Sequence, residues 1–215
     1  MEYLIYYICI LLVPLLFMLL INIIVYGNKT KTKVSGLDVA RTILDKNNLD
    51  MTYVVETKSF MSDIYVYKQG VIRLSSNIYN EEYLSSVAIA SMKAVTAILH
   101  KKNDSAIKLR EMLNPLLDYC MIISFILIIV GALMNMNDLS LLAFVLISLV
   151  LLFNLVTIPI NFKIKTQALE ELKKNKLIKD DEVDNINKLF TIYSFSDISN
   201  MVCSVNNTIN NLFNK

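Results

Sequence analysis

The chain is poor in the residues that most often declare a function. One histidine, His100, stands in 215 residues. That excludes any site needing two imidazoles from one chain, HExxH zinc sites and most histidine-rich metal centres included. Three cysteines, at positions 9, 120 and 203 with no CxxC among them, supply neither a disulfide framework nor a zinc knuckle. Four glycines leave no glycine-rich phosphate loop. Charge is scarce as well: 19% of residues are charged and the net charge is +2, too little to point to nucleic acid. What remains is apolar. Hydrophobic residues make up 55% of the chain and mean hydropathy is +0.50, which excludes a disordered chain and argues against a simple soluble globule.

The apolar residues fall in three runs. Tyr3 to Tyr26 carries no charge over its 24 residues, enough to cross a hydrocarbon core of about 30 Å at a rise of about 1.5 Å per residue. It does not read as a cleaved signal peptide, because Met1-Glu2 has no cation, the run is too long and no A-x-A site follows. Leu116 to Met134 is the second run and Leu139 to Ile160 the third, separated only by Asn135 to Asp138. They predict a tight helical hairpin through the bilayer. All 21 Lys and Arg fall in Asn28–Pro115 or Asn161–Lys215, so the positive-inside bias places the N-terminus and the 135–138 turn outside and both polar segments in the cytoplasm.

The polar segments read as follows. Ser35 caps a helix with Val39, Ala40, Ile43 and Leu44 on one face, ending near Asn47-Asn48. Met51 to Glu56 is a short β-rich stretch, and Asp63 to Tyr67 with Val71 to Leu74 reads as a hairpin about a Lys-Gln-Gly turn. From Leu84 to about Lys101 the pattern is helical, slimmed by Ala88, Ala90, Ala94 and Ala97. A further helical segment is expected from Asp180 to Phe213, too interrupted by Ser196, Asp197, Asn200 and Asn206 to stand alone in lipid and better suited to an interface or to packing on the other spans. The expected architecture is a mostly α membrane protein: a transmembrane helix over residues 1–26, a small cytoplasmic α+β region over 27–115, a transmembrane hairpin over 116–160, and a cytoplasmic or interfacial helical region over 161–215.

The order of these pieces resembles the YugP-like neutral membrane zinc metallopeptidases of bacteria. Ser35-Gly36, Val39-Ala40-Arg41 and Leu44-Asp45 are similar to that family's SGxxVARxxLD opening. Val71-Ile72-Arg73-Leu74-Ser75 with Ile78-Tyr79 is similar to its VRLSxxVY segment, and Val87-Ala88-Ile89-Ala90 enters the helix that carries HExxH in the family. After the hairpin, Ile158-Pro159-Ile160, Phe162 and Ala168-Leu169 follow its LPVEFNASRRAL pattern. The resemblance implies a peptidase-like fold. In an HExxH helix two histidines four residues apart hold Zn²⁺, the glutamate between them activates water, and a glutamate from a later helix is the third ligand. Here the resemblance puts Met92 and Thr96 at the histidine positions, Lys93 at the base and Asn161 at the third ligand. The family's DHYDP-like segment reads Asp63-Ile64-Tyr65-Val66-Tyr67.

A thioether and a hydroxyl are poor Zn²⁺ ligands, and an ammonium is no general base unless deprotonated. The expectation is therefore a pseudopeptidase with no cofactor and no metal. It would sit in the lipid bilayer and bind or regulate a membrane protein partner or an active homologue. The alternative is a membrane-bound metallopeptidase with residual or altered activity, although Ser91 and Lys93 lie too close along one turn to make a persuasive dyad. Lys93 either stands in for the lost metal charge beside Asp63 or reaches water from a closed cavity. His100 reads as a surface residue at a helix end rather than a shifted metal ligand with Glu81, Glu82, Asp104 or a cysteine. The cations of Lys163–Lys179 either contact anionic headgroups or merely set orientation.

Overall fold

A computed structural model describes residue 12 and residues 14–58 and 63–199. The protein is mostly helical, with one small sheet. Helix α1 (Pro14–Tyr26) ends in a π-helical stretch over Ile21–Tyr26. Then come α2 (Gly36–Lys46), β1 (Tyr53–Thr57), β2 (Ile64–Val66), β3 (Val71–Ser75), the short α3 (Ser76–Tyr79) and α4 (Leu84–Lys101). Two long helices follow, α5 (Ser105–Met134) and α6 (Asn137–Lys174), and after a 3-10 turn at Asp180–Glu182 comes α7 (Val183–Tyr193). The chain divides into two compact units, one of Met1–Leu19, Arg110–Ile158 and Phe195–Lys215, the other of Leu20–Leu109 and Pro159–Ser194.

Within the second unit the expected helix after Ser35 forms as the pattern requires. The Ser35 hydroxyl accepts from the Asp38 N–H at 3.2 Å while the Ser35 N–H donates to the Asp38 carboxylate, closing a capping box. Val39, Ala40, Ile43 and Leu44 are buried, and the face they form packs on α4. The hairpin is also found: β2 runs antiparallel to β3 with Tyr65 opposite Ile72. β1 then joins the other edge of β3 in parallel, with Val54 opposite Ile72, so that β3 is the central strand. In α4 only Lys93, His100 and Lys101 escape full burial. A helix enclosed on nearly every side is the core of its domain, and the alanines permit that close approach.

Asp104 illustrates how this unit is tied. Its carboxylate accepts from the N–H groups of Ala106 and Ile107 at 3.1 and 3.3 Å, capping α5, and it pairs with the Lys163 ammonium on α6. The hydrogen bond from Lys163, more than the cap, holds the Asp104 carboxyl below its usual range. A lowered native pKa adds stability above the unfolded value of about 3.9, and that stability is lost as pH falls through the native value. Asp104→Ala should cost about 1–2 kcal/mol. Asp104→Asn keeps a cap acceptor and should cost less. Thermal unfolding of wild type and Asp104→Asn at pH 7 and pH 3 checks the sign, the gap narrowing at the lower pH.

In the first unit the described parts of α5 and α6 form a hairpin. Met121, Ile147 and Val150 are its buried centre, with Leu117, Cys120, Phe125, Ile128 and Leu151 packed around them. The helices approach closely at Gly131, where a Cβ would come within 2.7 Å of the Ser140 hydroxyl. Ile126, Ile129, Leu149, Leu152 and Val156 are more than half exposed, or nearly so, and turn apolar surface outward. Both helices are long and apolar enough to cross a membrane.

Two expectations change. The long helices outrun the apolar runs, because α5 starts eleven residues before Leu116 and carries Pro115 inside it, while α6 continues through Pro159 to Lys174. A proline disturbs only its own turn when packing on either side holds the rest. The segment expected as one helix from Asp180 is instead a 3-10 turn and α7, broken by a turn at Ser194-Phe195. Its remainder beyond residue 199, like residues 3–11 and 13 of the Tyr3–Tyr26 run, lies outside the described residues.

Candidate functional site

The residues singled out from the sequence lie in the second unit, around α4. Met92 and Thr96 are buried one turn apart on that helix, and the Thr96 hydroxyl donates to the Met92 carbonyl at 2.8 Å. Two positions that would converge on a metal are thus bonded to one another along the helix. Asn161, buried on α6, donates its side-chain amide to the Ser194 carbonyl at 2.8 Å. That carbonyl belongs to the cap of α7, where helix geometry leaves acceptors without intrahelical donors. Asn161 therefore supplies a donor at a place where a glutamate would present only acceptors.

Lys93 is partly buried, with its ammonium 5.1 Å from the centre of the Tyr193 ring at the end of α7, a cation–π geometry. Its charge acts on Asp63, which is 6% exposed. One oxygen of Asp63 accepts from the Ser75 N–H at 2.7 Å and the Ser75 hydroxyl at 3.1 Å; the other accepts from the Tyr26 hydroxyl. Tyr26 is in turn hydrogen-bonded to Tyr193. Burial raises the Asp63 carboxyl above the usual carboxylate range, opposed by the Tyr26 and Ser75 hydrogen bonds and by the positive charge of Lys93. Sequence reading offered the pairing of Asp63 with Lys93 only as one of two alternatives for Lys93, and missed Tyr26, Ser75 and Tyr193. Ser75 was visible as the end of the strand motif. Nothing local to Tyr26 or Tyr193 marks either as a partner, since the contacts join residues far apart in the chain.

His100 is not a plain surface residue. Its Nδ1 lies 3.0 Å from the Tyr65 hydroxyl, and its ring meets Tyr65 and Tyr67 edge-on with centroids 5.6 and 5.3 Å apart. It remains in the last turn of α4, where a basic residue suits the helix dipole. Ser91 donates to the Ala88 carbonyl at 2.9 Å and is fully buried.

The residues at the resemblance positions do not fit a zinc ion: a thioether, an ammonium, a back-bonded hydroxyl and an amide replace the imidazole and carboxylate donors such an ion takes. Among the described residues no three His, Cys, Asp or Glu side chains stand together so as to hold a metal.

The fold is thus mostly helical, with a buried helix laid against a three-stranded sheet and two helices long and apolar enough to cross a membrane. The family follows from the comparison of sequences: the family described as "Putative neutral zinc metallopeptidase" matches residues 3–214, and the chain belongs to it. It is similar to the "Putative membrane protease YugP" of Bacillus subtilis (strain 168), with 25% identity over 171 residues that cover 80% of this chain and 76% of that protein. No solved structure matches the chain.

Proposed function

We propose that this family member is a pseudopeptidase: a membrane-embedded scaffold that does not hydrolyse peptides through zinc and that binds or regulates a membrane protein partner or an active homologue. One observation carries the reading. All four positions that would supply ligands and base hold side chains of another chemistry; Met92 is buried, and the side chains of Thr96, Asn161 and Lys93 are engaged with the protein itself. Thr96 bonds to Met92, Asn161 to Ser194, and Lys93 faces Tyr193 and Asp63. A scaffold without its reacting groups retains surfaces that recognise protein, and an intramembrane location selects a membrane partner. The proposal includes the three-span topology, with the N-terminus outside and the cation-bearing segments in the cytoplasm, which the distribution of Lys and Arg supports.

The test is metal content with turnover. Protein purified in detergent without chelators should contain far less than one equivalent of zinc, and its cleavage of unstructured peptides should not change with added zinc or phenanthroline. One equivalent of tightly held zinc, or zinc-dependent cleavage, would overturn the reading.

A further inference from the structure

The four groups of the Asp63 centre come from four separate elements: Lys93 from α4, Asp63 from the start of β2, Tyr26 from the end of α1 and Tyr193 from the end of α7. A metal ion in a protein does two separable jobs, chemistry on a substrate and the cross-linking of elements through charge and coordination. The first needs imidazoles, carboxylates and an open coordination position. The second needs only a cation that several elements contact at once. Lys93 meets that second requirement. Its ammonium lies over the Tyr193 ring, and Tyr193 is bonded to Tyr26, which donates to Asp63. Asp63 is fixed from behind by the N–H and hydroxyl of Ser75, at the end of the central strand.

A buried carboxylate is tolerated when a charge and hydrogen bonds compensate it. Here the hydrogen bonds come from Ser75 and Tyr26, and the charge comes from Lys93 at the family's base position. Of the two readings open from the sequence, the charge of Lys93 acting on Asp63 favours the first, while the partial exposure of Lys93 leaves its ammonium in reach of water as well.

We propose that the Lys93 ammonium acts as a built-in cation in place of a metal, closing with Asp63, Tyr26 and Tyr193 a metal-independent centre that holds α4, the sheet, α1 and α7 together. The role is structural, with Lys93 as a positioning residue, and it rests on the reading that this member works without zinc. It also accounts for the kind of residue found at the base position. A small apolar side chain would have removed the glutamate just as well, but it would have left Asp63 facing no positive charge.

The experiment is a double-mutant cycle on the full chain in one detergent, with Lys93→Met, Asp63→Asn and the two together, followed by thermal unfolding with and without EDTA. Each single variant should unfold several degrees below wild type, and the double variant should lose clearly less than the sum of the two. EDTA should leave the wild-type midpoint unchanged. Additive losses would overturn the proposal whatever the metal content. A wild-type midpoint that EDTA lowers, in protein carrying zinc, would overturn the metal-free reading instead, so the two failures are told apart. Should the variants not fold, amine modification of wild-type protein decides the matter. Lys93 should react much more slowly than the exposed Lys102, and equal rates would overturn the proposal.

Discussion

Arg110→Ala should destabilise the protein by about 3–5 kcal/mol, a larger loss than from any other substitution of a charged residue considered above. Arg110 on α5 donates to one oxygen of Asp197, and the two side chains are 11% and 10% exposed. The Thr157 hydroxyl of α6 donates to the other oxygen at 3.1 Å. Beside them, Phe195 stacks on Phe17 with ring centres 5.5 Å apart, and Ile198 and Ser199 are buried. The pair thus holds the short stretch after α7 within the first unit. Truncating Arg110 takes the guanidinium away from a carboxylate that is only 10% exposed, and the penalty is that of a buried charge losing its counter-ion rather than of one lost contact.

The same argument predicts that Arg110→Met combined with Asp197→Leu is milder than Arg110→Ala alone, because both charges leave together. Thermal unfolding of the three proteins in one detergent checks this. A chain of this length loses roughly 2–4 °C per kcal/mol, so the single variant should fall by roughly 10 °C. A loss within about 0.5 kcal/mol, typical of a surface site, would show that the pair is solvated.

Gly36→Ala is the second large effect. Gly36 is the first residue of α2, directly after the Ser35 cap. A Cβ there would fall on the Ile78 carbonyl oxygen, with the carbonyl carbon 3.1 Å away and the Ile78 side chain at 3.3 Å. The obstacle is backbone, and Ile78 itself is 1% exposed, so neither side can yield cheaply. Replacing glycine with alanine in a helix ordinarily gains about 0.5–1 kcal/mol. Here that gain should be outweighed by overpacking, for a net loss of roughly 2–3 kcal/mol. Gly70 is the control. It sits at φ +61° with open space around it, so Gly70→Asn, a residue that accepts this conformation, should be nearly neutral. Similar midpoints for Gly36→Ala and wild type would show that α2 and α3 shift apart freely.

Much of this was legible in sequence where the determinants are local. The Ser35 cap, the hairpin of Asp63–Tyr67 with Val71–Leu74, and the continuous apolarity of residues 116–134 and 139–160 each lie within a short window. The parallel pairing of β1 with β3 was not legible, since two strands adjacent in space are separated in sequence by β2. The ends of the long helices were misjudged for a related reason. Apolarity marks where a helix is greasy, whereas α6 continues past Ile160 into the second unit, with Ile164, Ala168 and Leu172 buried. At the site, the four substituted positions could be read off in order, but the partners each had found could not. Ser194 lies 33 residues from Asn161, and Tyr26 lies 37 from Asp63.

The amide of Asn161 has a consequence for reversibility. Introducing Met92→His, Lys93→Glu and Thr96→His would rewrite a single helix, but a third ligand would also require Asn161→Glu, and its carboxylate would then face the Ser194 carbonyl, oxygen against oxygen. Helix α7 would have to re-form its C-terminal end before that glutamate could turn toward α4. If the chain is the pseudopeptidase proposed, gaining a metal site would be an ordered process: the contact at the end of α7 would change before the HExxH letters could be of use. On the proposed reading, rewriting the motif alone would leave position 161 bound to the end of α7.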